Sequence, residues 1–241
     1  MILGKIKKVH FIGIGGIGMS GISELLLNLG FKVSGSDIKI TPITSQLSEK
    51  GAIIYEGHNK KNILNSDLVV YSSAIDNENV ELVEARKIQL PIVRRAEMLG
   101  ELLKLKNTSI AVSGTHGKTS TTSMMGSILT EALFDPTLII GGVVKNLNAN
   151  ALLGEGDIIV AEADEFDKSF LQLSPTHSII TNIDSEHLDC YGSKENLVKA
   201  FNEFANSTAF YGSIILCVDD SLLKSIIPNI SRPIITYGFS G

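Results

Sequence analysis

The chain has 241 residues, of which 44% are hydrophobic and 20% charged, with 22 glycines and 6 prolines. This composition is typical of a globular protein with one large or two modest domains, and it excludes disordered and collagen-like classes. A net charge of −5 argues against general nucleic-acid or membrane-surface binding. Cys190 and Cys217 lack a CxxC spacing and cannot form a disulfide framework, so we expect a cytoplasmic location.

The amino-terminal stretch Val9–Ser23 is apolar and follows three lysines, as a signal peptide would. It contains five glycines, however, and Glu24 follows it directly. It is also shorter than the roughly 20 residues that a membrane span requires. We therefore expect strand, loop and helix here, with no membrane insertion.

Charge divides the chain unevenly. Residues 1–107 contain 14 basic and 11 acidic residues, whereas residues 108–241 contain 7 and 15. The polar stretch Lys104–Thr108 separates a helical pattern from a new strand. We predict two domains, residues 1–107 and residues 108–241.

In both parts, short apolar runs alternate with room for helices, which predicts an α/β fold with a parallel sheet. The predicted strands of the first part are Val9–Ile12, Phe31–Ser34, Ala52–Tyr55, Asp67–Tyr71 and Ile92–Val93, with helices at Gly18–Leu29 and Asn79–Gln89. Those of the second part are Ser109–Ser113, Leu138–Ile140, Asp157–Ala161, Ser178–Thr181, Ser213–Val218 and Ile234–Tyr237, with helices at Lys118–Leu133 and Lys194–Asn206.

The first chemistry-bearing loop is a G-x-G-x-x-G that contains Gly13, Gly15, Gly16 and Gly18. Such glycines let a phosphate approach backbone N–H groups at a helix N-terminus, as in Rossmann-like domains. Asp37 ends the next predicted strand, where a ribose-binding carboxylate would lie. The motif alone leaves NAD, FAD and UDP open, and it also fits a tight turn without a ligand.

The second loop joins a predicted strand to a predicted helix and has the sequence Gly114-Thr115-His116-Gly117-Lys118-Thr119-Ser120. In a P-loop, backbone N–H groups hold phosphates, the lysine reaches the terminal phosphates and the hydroxyl after it binds Mg²⁺. Val112 stands where the general P-loop has its first glycine, so this is a shorter G-x-x-G-K-T variant. The pattern predicts a P-loop-type ATPase domain.

Two acidic segments follow predicted strands of the second part, and parallel strands gather such ends at one edge of the sheet. Oxygen ligands there suit Mg²⁺–ATP, and we predict a metal role for Glu162. The segments contain Glu162, Asp164, Glu165 and Asp167, and then Asp184, Glu186, His187 and Asp189.

Among the remaining histidines, His10 and His177 are predicted to be structural. His58 either lines the pocket of the first domain or is an ordinary loop residue.

Together these motifs resemble the Mur ligases of peptidoglycan synthesis, in family order and over nearly the whole chain. The stretches that carry the resemblance are His10–Gly21, Ser113–Ser120, Glu162–Glu165 and Thr181–Asp189. The opening run and Ser169–Leu171 are most similar to the members that join L-alanine to UDP-N-acetylmuramate.

The resemblance implies an ATP-dependent amide-forming enzyme that works through an acyl phosphate. Lys118 would then neutralise charge on the transferring phosphoryl group. Thr119 and Glu162 would hold one Mg²⁺, and His187 would ligate a second. In the first domain the glycines of the first loop would bind the pyrophosphate of UDP, and Asp37, Ser72 and Ser73 would shape the nucleotide pocket.

The resemblance also implies that the chain ends inside the central domain, with the carboxyl-terminal domain of the family absent. We therefore expect little or no ligase activity from the 241-residue chain alone.

Three alternatives stay open. A murein-peptide ligase would join the same sugar acid to a recycled peptide. An NAD-dependent oxidoreductase would use the first loop but would leave Gly114–Thr119 and Glu162 without a role. A non-catalytic nucleotide-binding module would use both loops without turnover.

Overall fold

The computed structural model describes residues 3–144, 149–184 and 188–239. The chain divides into two compact units, one of residues 1–101 with 141–153 and the other of residues 102–140 with 154–241. Each unit has α/β architecture, as the sequence predicts.

The first unit is built on a sheet with the order β3-β2-β1-β4-β5. Strand β1 lies at its centre, in parallel pairing with β2 on one side and β4 on the other. This is the predicted Rossmann-like arrangement, in which the loops after β1 and β2 meet at one edge. The strands are β1 (Lys8–Ile12), β2 (Lys32–Asp37), β3 (Ile53–Glu56), β4 (Leu68–Tyr71) and β5 (Ile92–Arg94), and the helices are α1 (Ile17–Asn28), α2 (Pro42–Glu49), α3 (Val80–Lys87) and α4 (Arg95–Leu103).

Helix α1 follows the glycine loop directly. Its residues Ile22, Leu25 and Leu26 are fully buried, and burial of each such side chain is worth about 1.5–3 kcal/mol. The helix ends as predicted, because Gly30 adopts a φ of +84° and its N–H donates to the carbonyl of Leu27.

The second unit contains most of a sheet with the order β12-β11-β10-β6-β9-β7-β8. Strand β6 lies between β10 and β9 and is parallel to both. The strands of this sheet are β6 (Thr108–Ser113), β7 (Thr137–Val144), β8 (Ala149–Leu152), β9 (Ile158–Glu162), β10 (His177–Ile180), β11 (Ser213–Cys217) and β12 (Ile234–Tyr237). Of these, β8 and the last four residues of β7 belong to residues 141–153 of the first unit. The helices of the second unit are α5 (Lys118–Glu131), α6 (Leu188–Tyr191), α7 (Lys194–Ser207) and α8 (Ser221–Ile226).

Helix α5 ends two residues before the predicted Leu133. Leu133 adopts a left-handed φ of +63°, which ends the α-helical hydrogen bonding there. Helix α7 begins at the predicted Lys194, because the side chain of Ser193 accepts a hydrogen bond from the N–H of Asn196. Among the described residues, no helix is long and apolar enough to cross a membrane.

Candidate functional site

The glycine loop after β1 is fastened to the end of β2. The carbonyl oxygen of Ser36 accepts hydrogen bonds from the N–H groups of Gly13 and Ile14, at 2.8 and 3.1 Å. The Asp37 carboxylate accepts one from the N–H of Gly15, at 2.8 Å. The N–H of Gly16 donates to the carbonyl of Gly13 at 3.2 Å. The loop thus has a fixed shape that four hydrogen bonds maintain.

N–H groups that the sequence suggests for binding a pyrophosphate are engaged by the loop itself and by the end of β2. The N–H groups of Gly13, Gly15 and Gly16 bind within the protein. Gly13 contributes a left-handed backbone, with a φ of +80°, and Gly15 contributes space. A Cβ at Gly15 would come within 2.9 Å of an Asp37 oxygen. Asp37 itself lies where the sequence indicates, at the end of β2, and it binds the loop backbone.

Arg95 is a basic residue at this edge that sequence reasoning missed. A Cβ on Gly18 would lie 3.0 Å from its Nη1, so the guanidinium rests against the first turn of α1. The signal was available, because Arg95 begins α4 directly after β5, at the same edge of the sheet. Ser72 also lies beside the loop, since a Cβ added to Gly13 would be 3.9 Å from the Cβ of Ser72.

The second loop, residues 114–117, connects β6 to α5 with two glycines in left-handed conformations. Gly117 has a φ of +83° and caps the helix N-terminus, and Gly114 has a φ of +133°. Thr119 and Ser120 are exposed in the first turn of α5. This is the strand–loop–helix geometry in which an anion is held at a helix N-terminus.

Three residues after β10 hold this loop in place. The Asn182 amide accepts from the N–H of His116 at 2.8 Å and donates to the carbonyl of His116 at 3.0 Å. Thr181 donates to the same carbonyl at 2.7 Å. The N–H of Asp184 donates to the hydroxyl of Thr115 at 2.8 Å. The conformation of the loop therefore depends on the neighbouring strand.

Lys118 folds back over the loop that precedes it. Its Nζ donates to the carbonyl of Gly114 at 2.8 Å and to Oε2 of Glu165 at 2.7 Å. Burial raises the pKa of Glu165 above its usual value, although the hydrogen bond from Lys118 acts in the opposite direction. Glu165 is thus the residue that faces the loop lysine, a role that the sequence did not assign to any one carboxylate of its segment.

Glu162 ends β9, and it pairs in register with Val112 of β6. Two neighbouring strand ends therefore bring Glu162 and the second loop to the same edge of the sheet, as predicted. His187 lies outside the described residues, together with Glu186 and the side chain of Asp167. Across the described ranges, no group of three or more His, Cys, Asp or Glu side chains is arranged to hold a metal ion.

His116 has an exposed imidazole, whose Nε2 lies 3.5 Å from Asp184. The hydrogen bonds by which this residue holds the loop come from its backbone N–H and carbonyl. His10 is fully buried and structural, as predicted, and the side chain of His58 is 19% exposed.

Comparison with known proteins places the chain in a family. Residues 8–107 match the Mur ligase family catalytic domain, and residues 112–241 match the Mur ligase middle domain. The chain belongs to the Mur ligase family.

Curated relatives at about half identity are named UDP-N-acetylmuramate–L-alanine ligase. The one from Syntrophus aciditrophicus is 52% identical over 97% of this chain and 48% of that protein. The one from Acidobacterium capsulatum is 51% identical over 98% of this chain and 51% of that protein. The chain spans about half the length of the curated relatives it matches.

Solved structures of the family share the fold. UDP-N-acetylmuramate-alanine ligase from Thermotoga maritima is 33% identical, with a TM-score of 0.85 over 97% of this chain and 53% of that chain. The UDP-N-acetylmuramate:L-alanyl-gamma-D-glutamyl-meso-diaminopimelate ligase from Neisseria meningitides is 26% identical, with a TM-score of 0.87 over 96% of this chain and 78% of that chain.

Proposed function

We propose that this chain supplies the nucleotide-sugar and ATP sites of an enzyme that joins L-alanine to UDP-N-acetylmuramate in peptidoglycan synthesis. The observation that carries the proposal is Lys118, held over a glycine loop at the start of α5 and beside the strand end that bears Glu162. Relatives of that name match nearly the whole chain, whereas an oxidoreductase would leave this loop unused.

In the proposed reaction the substrate carboxylate attacks the γ-phosphorus of ATP, and the bond to the β-phosphate oxygen breaks to release ADP. The L-alanine amine then attacks the acyl carbon, the C–O bond to phosphate breaks, and an amide, phosphate and a proton result. Lys118 carries a positive charge on a flexible stem, which suits it to turn from Glu165 toward the phosphoryl oxygens as negative charge moves there.

The residues present suit Mg²⁺. An exposed hydroxyl at Thr119 and a carboxylate at Glu162, both at the same sheet edge, are oxygen donors of the type that this ion prefers. We propose that Thr119 and Glu162 hold one Mg²⁺ and that His187 ligates a second. When bound, the ions would neutralise charge on the phosphates and the substrate carboxylate.

In the first unit we propose that the diphosphate of UDP binds at the first turn of α1, near Gly18, with Arg95 as its counter-charge. Arg95 already lies against Gly18, and the helix N-terminus favours an anion. Ser72 and Ser73 follow β4 at the same edge and would shape the nucleotide pocket with Asp37. We propose a cytoplasmic location, where ATP, L-alanine and the nucleotide sugar would be available to the enzyme.

Calorimetric titration with UDP-N-acetylmuramate, Mg²⁺–ATP and NAD tests the two sites separately. We expect binding of the sugar nucleotide and no binding of NAD; NAD binding without UDP-sugar binding would contradict the proposal. Phosphate release with L-alanine, compared with release with the tripeptide L-alanyl-γ-D-glutamyl-meso-diaminopimelate, distinguishes this enzyme from a murein-peptide ligase. That assay should be run on the 241-residue chain and on any longer reading frame that contains it.

A further inference from the structure

A buried polar cluster underlies the glycine loop of the first unit. Its centre is Glu81 of α3, which is fully buried. Its other side chains come from β1, β2 and the segment after β3: they are His10, Ser34, Ser36, His58 and Asn62. No role in the proposed reaction accounts for this cluster.

Each Glu81 oxygen has its own donors. The hydroxyl of Ser36 donates to Oε2, and Nδ1 of His58 lies 3.3 Å from the same oxygen. The Asn62 amide donates to Oε1 at 2.7 Å, and the N–H of Asn59 does so at 3.2 Å. A buried carboxylate is tolerated only when donors surround it in this way.

Ser36 connects the cluster to the glycine loop by hydrogen bonds. Its hydroxyl binds Glu81, while its carbonyl oxygen accepts the N–H groups of Gly13 and Ile14. Asp37, the next residue, binds the N–H of Gly15. The end of β2 therefore joins the buried carboxylate on one side to the loop on the other.

We propose that Glu81 is a positioning residue for the nucleotide-sugar site, which acts through Ser36 to hold the end of β2 and with it the glycine loop. The inference rests on the proposed function for the identity of the ligand only. Side chains that orient metal ligands from behind change affinity or activity by about 10–100-fold when they are removed, and we expect an effect at the lower end of that range here.

The first test measures the backbone without any ligand. In the Glu81→Gln chain we expect amide hydrogen exchange at Gly13 and Ile14 to be faster by about tenfold, with exchange in β10 unchanged. Ser36→Ala removes the connecting hydroxyl and should have the same effect. Ser178→Ala is the matched control, because its buried hydroxyl binds Thr208 at 2.6 Å in the second unit. Unchanged exchange at Gly13 and Ile14 in both variants would overturn the inference.

The second test measures binding of UDP by calorimetry. We expect the dissociation constant to rise by about tenfold in Glu81→Gln and Ser36→Ala, and to stay as in the wild type in Ser178→Ala. If Glu81→Gln fails to fold, the UDP affinity of Ser36→Ala alone tests the positioning role. Wild-type affinity in a folded variant would count against positioning, whereas failure of the wild type itself to bind UDP would count against the proposed function.

The double variant distinguishes positioning from a general loss of stability, because it measures whether the effects of the two substitutions on UDP binding are additive. Because both residues act through one contact, Glu81→Gln with Ser36→Ala should weaken UDP binding no more than the stronger single variant. A product of the two single effects would mean independent roles and would contradict the inference.

Discussion

The Nζ of Lys118 lies 2.7 Å from Oε2 of Glu165, and this contact joins the start of α5 to the segment after β9. Lys118 is held over its own loop, because the carbonyl of Gly114 accepts a second hydrogen bond from it. The Lys118 ammonium group therefore has two acceptors within the protein, and its contact with Glu165 must break if it is to reach a bound phosphate.

The Lys118–Glu165 pair predicts that loss of the lysine lowers stability and that a second substitution, at Glu165, restores part of it. Lys118→Ala removes the cation that faces a carboxylate with only 1% exposure, so we expect a cost of about 3 kcal/mol in the free energy of unfolding. Adding Glu165→Gln should recover part of that loss without restoring ATP binding. Urea unfolding and ATP titration of both variants measure this, and equal stability of the single and double variants would contradict it.

Gly114 and Gly117 differ in the space around them, although both have left-handed backbones. A Cβ at Gly114 would lie 2.1 Å from Oγ1 of Thr181, whereas at Gly117 it would meet nothing within 4 Å. We expect Gly117→Ala to cost about 1 kcal/mol from backbone strain and Gly114→Ala clearly more. Thermal unfolding of the two variants compares them, and equal melting temperatures would refute the steric part of this explanation.

Asn182 predicts a specific effect on nucleotide binding. In Asn182→Asp the side chain can no longer donate to the carbonyl of His116, and a negative charge is added beside the phosphate loop. We expect the dissociation constant for ATP to rise by about tenfold, or about 1.4 kcal/mol. Asn206→Asp is the control, since its amide makes similar backbone contacts away from the loop. Similar ATP affinity in the two variants would show that Asn182 has no special role.

Glu81 predicts an acid-dependent stability. Burial raises the pKa of this carboxyl, but the His10 imidazole 3.6 Å away and the hydrogen bonds from Ser36 and Asn62 outweigh burial and hold the pKa at about 2, below the ordinary 4.5. Between those values the unfolded chain binds a proton that the folded chain does not. The stability that the Glu81 carboxylate contributes is therefore complete above about pH 5 and is lost as the pH falls toward 2. Over this range the free energy of unfolding changes by up to about 1.4 kcal/mol per pH unit.

Urea unfolding at pH 5, 4 and 3 measures this slope. In the Glu81→Gln chain the free energy of unfolding should depend less steeply on pH, by up to the equivalent of one proton. The Ser178→Ala chain should keep the slope of the wild type. A Glu81→Gln chain with the full wild-type slope would assign the acid sensitivity to other carboxyls.

Sequence patterns were sufficient for most of the described strands and for the positions of both loops. Periodicity located β1, β6 and α5, because buried strands and glycine-bounded helices leave clear signals. Helix α2 was missed: it is only eight residues long, and its capping box uses two threonines, Thr41 and Thr44. Strand β8 was missed as well, since Ala149–Leu152 carries little β-branched character.

Contacts between distant residues could not be predicted in the same way. The sequence named Glu165 as one of four acidic residues, but only the fold shows that it faces Lys118, 47 residues earlier. Asn182 and Arg95 belong to the same category, because their roles depend on which strand ends are neighbours. The metal ligand predicted at His187 stays a prediction.

The hold of β10 on the phosphate loop has a consequence for how this part of the protein comes apart. The N–H of Thr115 and the carbonyl of Asn182 form a hydrogen bond between segments 67 residues apart, and Thr181 adds another at 2.7 Å to His116. Opening of this loop must break its hydrogen bonds to the segment after β10, so we expect it to open less readily than a loop without such bonds. The second loop should therefore keep its shape as the temperature rises toward the melting point of the sheet that holds it.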